Sequence, residues 1–154
     1  MVEYKKPTQD MIQYVADNMR QQDRDEILAS HGYTPINALN EGVEASDFCT
    51  AVYINGELIA ILGLVITSMI TGHGVPWLLG TDGVVTHSRE FLLNSKDVVN
   101  ELKRKCPNMY NYVHDKNTVS IRWLKWLGFN LEPARPFGVA GEKFIRFTMG
   151  NVHV

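Results

Sequence analysis

Four side chains could donate or accept protons at neutral pH, and each lies near the boundary of a predicted element. His114 closes a predicted strand, Tyr112 lies in the same strand, Asp82 falls in a turn and His87 precedes a helix. Imidazole, carboxyl and phenol groups are the usual general acids and bases of enzymes. Each residue also has a structural explanation, as a hydrogen-bonded core histidine, a turn aspartate or a tyrosine at the edge of the core.

The cysteines and histidines have no spacing typical of a metal site. Cys49 and Cys106 lie far apart and form no CxxC pair, and His73 is a single histidine between two glycines. We therefore expect no bound metal and two free, reduced thiols. Cys106 could act as a nucleophile, but it lies on the apolar seam of a predicted helix, which indicates a core residue.

Composition is that of an ordinary globular domain. The 154 residues are 45% hydrophobic and 21% charged, with a formal net charge of −2. We expect one domain over residues 1–154, with roughly 70% of the unfolded surface buried. The charge balance excludes a strongly basic nucleic-acid-binding protein, so we expect no nucleic-acid partner.

The pattern of apolar residues along the chain indicates neither a signal peptide nor a membrane-spanning segment. The first residues are polar and contain no apolar run typical of a signal peptide. The longest apolar run, 58–70, is broken by Gly63, Thr67 and Ser68, and it is too short to span a bilayer. We expect no signal-peptide secretion and no membrane partner.

Hydrophobic periodicity predicts the elements that must position these residues. The first half contains a short strand at 1–6, a helix starting near Thr8 or Asp10, a helix at 23–30 and one or two helical turns at 36–39 that end by Gly42. Asn55-Gly56 is typical of a hairpin turn between strands 48–54 and 57–66. The second half is predicted as strand 75–85, helix 89–105, strand 109–114, helix 117–127 and strands 129–131 and 143–149.

This order predicts the fold class. Helices lie between consecutive strands only in the second half, which indicates a mixed sheet with a parallel pair in its middle. We expect an α/β or α+β fold with a mostly antiparallel sheet flanked by helices.

The segment 117–129 resembles the closing motif of the GNAT superfamily of acyl-CoA N-acyltransferases. That motif has an Asn after the fifth strand, a helix with an apolar seam and a Gly-Phe pair that opens the next strand. The matching residues are Asn117, Ile121, Leu127, Gly128 and Phe129. The resemblance implies a GNAT-like sheet and the use of acetyl-CoA with an amine acceptor.

A narrower resemblance covers most of the chain. Residues 111–113, 117 and 121–125 are similar to the C-terminal half of internal virion protein A of short-tailed phages. Residues 18–20, 23, 24, 26 and 76–82 are similar to a family of small, GNAT-like tailed-phage proteins. The resemblance implies a phage protein located in the host cytoplasm or in the virion. Its partners would then include phage or host proteins.

The GNAT resemblance implies a cofactor site at the start of the central helix. CoA pyrophosphate would lie on the backbone of Val84, Val85, Thr86, His87, Ser88 and Arg89, with Thr86 or Ser88 as the helix cap. The family's glycines are missing after Gly83. Asn117 would bond the pantetheine or fix its loop, and it would also cap the last helix.

The resemblance also implies a cleft between the fourth and fifth strands, which Gly80 and Gly83 could open by a bulge. The family's usual acid, a Tyr three residues after Ile121, is replaced by Leu124. Asp82, His114 and Tyr112 are the predicted catalytic substitutes, with His87 as a further candidate. The first helices would border the acceptor, which brings Asp23, Arg24 and Glu26 close to a substrate.

The resemblances imply two main functions, and a phage effector that binds or modifies a host protein is a third that the sequence does not separate from them. The first is an N-acetyltransferase in which the amine attacks the thioester directly. The alternative is a non-catalytic GNAT-scaffold protein of a phage particle or its assembly. An enzyme requires an open slot between the fourth and fifth strands, whereas a structural protein would fill that slot with side chains.

Overall fold

The computed structural model describes residues 1–152 of the chain. The elements are, in order, β1 (Val2–Lys5), α1 (Gln9–Asp17), α2 (Gln21–His31), α3 (Pro35–Ala45), β2 (Phe48–Ile54), β3 (Glu57–Ser68), β4 (His73–Gly80), α4 (Gly83–Thr86), α5 (Ser88–Lys105), β5 (Asn108–His114), α6 (Thr118–Trp126), β6 (Asn130–Leu131), β7 (Arg135–Pro136) and β8 (Lys143–Met149).

All the strands belong to one mixed sheet. Its spatial order is β1-β2-β3-β4-β5-β8-β6, with β7 also paired to β8. The pairings are antiparallel except that between β4 and β5, which is parallel. The predicted fold class is confirmed: a mostly antiparallel sheet with a central parallel pair, flanked by helices.

The helices cover the two faces of the sheet in chain order. Side chains of α1, α2 and α3 pack with Trp77 and Leu79, which point to one face of β4. Leu78 points to the other face and packs with Val84 of α4 and Phe91 of α5. We call these the α1–α3 face and the α4–α6 face. In the part of the chain that the structure describes, no helix has the length and apolar character needed to cross a bilayer.

Local signals in the sequence explain several element boundaries. The Thr8 hydroxyl accepts from the Met11 N–H at the start of α1, and Thr34 precedes a proline at the start of α3. Asn55 has a φ of 50° and Gly56 a φ of 82°, as the predicted hairpin turn requires.

Three predicted boundaries are wrong. α3 continues past Gly42 to Ala45, because Gly42 lies flat against the ring of Trp77 and leaves the helix room to pass β4. The fourth strand ends at Gly80 and not at residue 85. The residue before α5 is His87 and not Thr86 or Ser88, and its side chain makes no capping hydrogen bond. The Thr86 hydroxyl is unavailable as a cap, because it donates to the Asp82 carbonyl.

A close contact anchors the parallel pair where β4 and β5 begin. Gly74 pairs with Met109, and a Cβ on Gly74 would lie 2.9 Å from Cys106 Sγ and 3.0 Å from Leu64 Cδ1. Cys106 is fully buried and unbridged, as expected of a core thiol, and burial raises its pKa. The glycine therefore lets the end of α5 pack directly on the start of both strands.

Gly74→Ala should lower the free energy of unfolding by about 1–3 kcal/mol, because the added methyl overpacks this contact. Cys106→Ala should cost about 1–2 kcal/mol by leaving a small void. The double variant should lose less than the sum of the two, because the void accepts the methyl. Urea unfolding of the four proteins measures this coupling, and strictly additive losses would contradict it.

Candidate active site

β4 and β5 form a fork that opens toward their carboxyl ends. Their parallel pairing covers only His73 with Asn108 and Gly74 with Met109. At the base of the fork the Asn111 side chain donates to the Pro76 carbonyl at 2.7 Å. Beyond that bond the strands separate. No register shift interrupts β4 between Gly74 and Gly80, so the predicted glycine bulge is not the cause of the opening.

On the edge of β4 that faces the fork, the N–H and C=O groups of one residue, Leu78, have no strand partner. Pro76 O and the N–H and C=O of Gly80 all point toward the fork, where side chains or α2 engage them. Backbone groups two residues apart point to the same edge of an antiparallel pair. The N–H and C=O of Leu78 therefore face the fork. Within residues 1–152 the β4–β5 pairing ends at Gly74, and no loop or side-chain bond reaches these two groups.

The junction of α1 and α2 closes the wide end of the fork. Met19 forms an isolated bridge with Thr81, and the Arg20 N–H donates to the Gly80 carbonyl at 2.8 Å. The Gly80 N–H donates to Asp23 Oδ2 at 2.9 Å. These bonds end β4 at Gly80, because the groups that would continue the strand are used by α2.

The Arg20 side chain crosses the fork from β4 to α6. Its Nη2 donates to Asp23 Oδ1 at 3.1 Å, to Asn117 Oδ1 at 2.9 Å and to Ser120 Oγ at 3.3 Å. The guanidinium also lies 5.9 Å from the ring centroid of Trp123. Arg20 is only 3% exposed, and in the described residues its Nε has no partner. The ion pair with Asp23 offsets the cost of burying this charge.

Glu26 lies next to this ion pair on α2. Its Oε2 accepts from Asn117 Nδ2 at 3.0 Å and from the His114 backbone N–H at 3.1 Å. Desolvation and the neighbouring Asp23 raise the pKa of Glu26 to about 7, although both hydrogen bonds act to lower it. Burial also raises the pKa of Asp23. A carboxyl group that titrates near neutrality beside a cleft is suited to accept a proton.

A mainly apolar cavity of about 440 Å³ runs through the fork. On the α4–α6 face its wall includes Leu78, Phe91 and Trp123. On the α1–α3 face the wall is aromatic and acidic, formed by Glu26, Tyr33, Trp77, Tyr112 and Phe137. One cavity thus connects the unpaired Leu78 peptide with the Glu26 carboxyl group.

The structure places the three predicted catalytic residues differently. Tyr112 lies in the cavity wall and stacks on Phe137 at 3.8 Å between ring centroids. His114 is buried beside the cavity, with Nε2 at 2.8 Å from Glu142 Oε1. Asp82 is exposed before α4 and outside the cavity wall. Leu124 lies in the wall as an apolar side chain.

The predicted phosphate-binding segment forms two helical starts instead of one loop. The backbone N–H groups of Val84, Val85, Thr86 and His87 donate to the carbonyls of Thr81, Asp82 and Gly83, and the Val84 side chain is buried. Within the described chain the N–H groups of Ser88 and Arg89 have no acceptor, as is usual in the first turn of a helix. His87 Nε2 lies 3.5 Å from Glu57 Oε1.

Asn117 is the centre of the polar cluster. It caps α6, since its Oδ1 accepts from the Ser120 N–H at 3.4 Å, which confirms the predicted capping role. The same oxygen accepts from Arg20, and the amide nitrogen donates to Glu26. Its side-chain groups thus orient the two charged residues of α2. Contact with a cofactor stays a prediction for this residue.

Sequence reasoning assigned Arg20 no role in the site beyond its place in the segment that resembles the phage family. It predicted a solvated helix face for residues 20–26, with Asp23 and Glu26 near a substrate. The available signal was their spacing, since positions 20, 23 and 26 recur every three residues along one side of a helix start. Such a pattern is usual for a solvated helix face. Only the tertiary contacts with Gly80 and Asn117 show that these charges are buried.

No family profile matches the chain, and no curated protein is significantly similar to it. Solved structures do match it. A chimera of a spermidine N-acetyltransferase from Vibrio cholerae and hSSAT is 12% identical, with a TM-score of 0.69 over 96% of this chain and 94% of that one.

Two further structures give the same result. A Bacillus subtilis acetyltransferase in complex with CoA is 12% identical, with a TM-score of 0.66 over 98% of both chains. A ribosomal-protein alanine N-acetyltransferase from Escherichia coli is 12% identical, with a TM-score of 0.64 over 99% of this chain and 97% of that one. The chain has the GNAT fold. In GNAT-fold terms the fork between β4 and β5 is the cleft that the sequence predicted.

Glu26→Gln should change the pH dependence of stability. With a folded pKa of about 7 against an ordinary 4.5, the folded protein holds a proton that the unfolded chain releases, so stability falls as pH rises between these values. Glutamine keeps an oxygen for Asn117 and His114 but cannot ionise. We expect the variant to exceed wild type by about 1–3 kcal/mol at about pH 8 and to show no gain at about pH 4. Urea unfolding at both pH values tests this, and a gain independent of pH would contradict it.

Proposed function

We propose that the protein is an acyl-CoA-dependent N-acyltransferase that transfers an acetyl group from acetyl-CoA to an amine by direct attack. The observation that carries this proposal is the unpaired backbone of Leu78 at the fork, in the same cavity as the Glu26 carboxyl group. A hydrogen-bond donor for the thioester and an acceptor for the amine proton thus lie along one cavity.

The Leu78 N–H polarises the thioester carbonyl. A backbone donor held rigidly by the β3–β4 ladder stabilises negative charge on the carbonyl oxygen without reorganising. The Leu78 C=O, on the same edge, accepts from an amide of the pantetheine arm. The N–H groups of Ser88 and Arg89 at the start of α5 would hold the CoA phosphates, because free N–H groups and the dipole of an 18-residue helix favour anions.

Glu26 accepts the proton of the attacking amine. The amine nitrogen bonds to the thioester carbonyl carbon, the carbon–sulfur bond breaks, and CoA leaves as a thiolate that must gain a proton. Since leucine at position 124 cannot donate one, the Tyr112 hydroxyl in the cavity wall is the proposed donor. The raised pKa of Glu26, about 7, matches a base that acts near neutral pH.

Calorimetric titration of the wild-type protein with acetyl-CoA should give a dissociation constant in the micromolar range. Leu78→Pro should weaken this binding by about tenfold relative to Leu78→Ala, because proline removes the N–H donor while both variants remove the side chain. Pro76 already faces the same edge of β4, so a proline at position 78 spares the ladder with β3. No heat at millimolar acetyl-CoA, or equal affinity of the two variants, would contradict the proposed function.

A second candidate function is a non-catalytic GNAT-fold protein of a phage particle or its assembly. Two observations favour it: Arg20 crosses the fork, and Phe91 packs on Trp123 at 5.4 Å between ring centroids, so side chains fill much of the slot. Trp126, which is 45% exposed on α6, offers a contact surface for a protein partner.

The double variant Arg20→Leu/Asp23→Asn separates the two candidates. It removes both buried charges, while asparagine keeps an oxygen for the Gly80 N–H, so the fold should survive. A non-catalytic protein predicts that wild type does not bind acetyl-CoA at millimolar concentration. Micromolar binding by wild type would contradict the non-catalytic candidate, whereas binding by the variant alone would support it, because it would show that Arg20 fills the slot. Circular dichroism checks that the variant is folded.

A further inference from the structure

The α1–α3 side of the cavity has a roof. The loop between β6 and β8 docks on the end of α2, with the Val139 N–H donating to Ser30 O at 3.1 Å and the Ala140 N–H to Ala29 O at 3.3 Å. Gly138 lies so close that a Cβ would be 2.6 Å from the Ser30 backbone. These bonds use the last carbonyls of α2 and hold the loop over the cavity.

Aromatic rings form the walls under this roof. Tyr112 and Phe137 stack at 3.8 Å, and Phe137 meets Phe144 edge-on at 5.4 Å. On the β4 side the Trp77 indole N–H donates to Ser46 Oγ at 2.7 Å, which fixes the orientation of the ring. We call the part of the cavity between these rings the chamber. Because stacking and hydrogen bonding hold the rings in place, the chamber is preformed for a flat or apolar group.

One carboxylate oxygen faces this chamber without a partner. Glu26 Oε2 takes both hydrogen bonds from Asn117 and His114, whereas in the described residues Oε1 has none. Oε1 is not completely buried, and Glu26 is one of the residues that line the cavity. Arg20 and Asp23 neutralise each other, and Glu41, the other carboxylate of the cavity wall, is exposed to solvent. Glu26 is therefore the shielded carboxylate of the wall that can pair with a cation.

We infer that the chamber binds a small primary amine with an aromatic or similarly apolar body, its ammonium group on Glu26 Oε1 and its body between Trp77 and the Tyr112–Phe137 stack. This inference rests on the proposed function, for which it names the acceptor class. The cation gains from both the carboxylate and the neighbouring ring faces. The chamber is part of a cavity of about 440 Å³, which is within the range of small-molecule sites.

Calorimetric titration of the protein alone, without any CoA, tests the inference with 2-phenylethylamine as the probe. We expect it to bind at least about tenfold more tightly than 2-phenylethanol, which has the same body without the charge. Spermidine and a short lysine-containing peptide should bind more weakly than 2-phenylethylamine. Tighter binding of either competitor, or equal binding of the amine and the alcohol, would overturn the inference.

Variants locate the binding. Glu26→Gln and Phe137→Ala should each weaken 2-phenylethylamine binding by about tenfold or more, because one removes the charge and the other a stacking wall. Tyr14→Ala is the matched control, since Tyr14 is a half-exposed aromatic residue of α1 outside this cavity. A loss in the control as large as in Phe137→Ala would overturn the assigned position.

The titrations also separate this inference from the proposed function. Acetyl-CoA binding without amine binding overturns the acceptor inference and leaves the transferase proposal standing. Amine binding without acetyl-CoA binding overturns the transferase proposal and supports the chamber as an amine site in its own right.

Discussion

The separation of β4 from β5 after two paired residues is the constraint on which the rest of the structure depends. Backbone N–H and C=O groups inside a protein must find partners, and a strand edge exposed in the middle of a sheet leaves several without one. Asn111 satisfies Pro76 at the base of the fork, and α2 satisfies Gly80 at its mouth. Among residues 1–152, the Leu78 N–H and C=O between them have no partner on this edge of β4 and are left to a ligand or to water, which makes the site narrow and directional.

Polar side chains close the wide end of the fork, and closing it buries their charges. Arg20, Asp23 and Glu26 are removed from water together, which costs free energy that their mutual contacts must offset. Arg20 and Asp23 form a close pair, so Glu26 carries the remaining penalty, and its pKa rises to about 7. The same contacts that join α2 to β4 and α6 therefore also prepare a carboxyl group that can gain or lose a proton near neutrality.

Similarity to acetyltransferases at 12% identity shows a common backbone arrangement, and it does not extend to the chemistry of individual residues. This chain keeps the fork and the helix start of that fold, but it has leucine at position 124 and no glycine between Gly83 and the start of α5. Chemistry in such a site depends on what the fork itself presents. In this protein those groups are the Leu78 N–H and C=O at the edge of β4, and Glu26 with its aromatic surroundings on the α1–α3 face.

The sequence by itself determined the local elements. Hydrophobic periodicity, the threonine caps at residues 8 and 34, the Asn55-Gly56 turn and the Asn117 cap each act within a few residues, so the order of strands and helices and the fold class were predictable. The end of β4 and the short helix α4 were not, because they depend on contacts with distant parts of the chain. Arg20 and Asn117 are 97 residues apart, and Asn117 and Glu26 are 91 apart. Only the tertiary structure brings these polar groups out of water and against one another, and that desolvation is what makes Glu26 a candidate base.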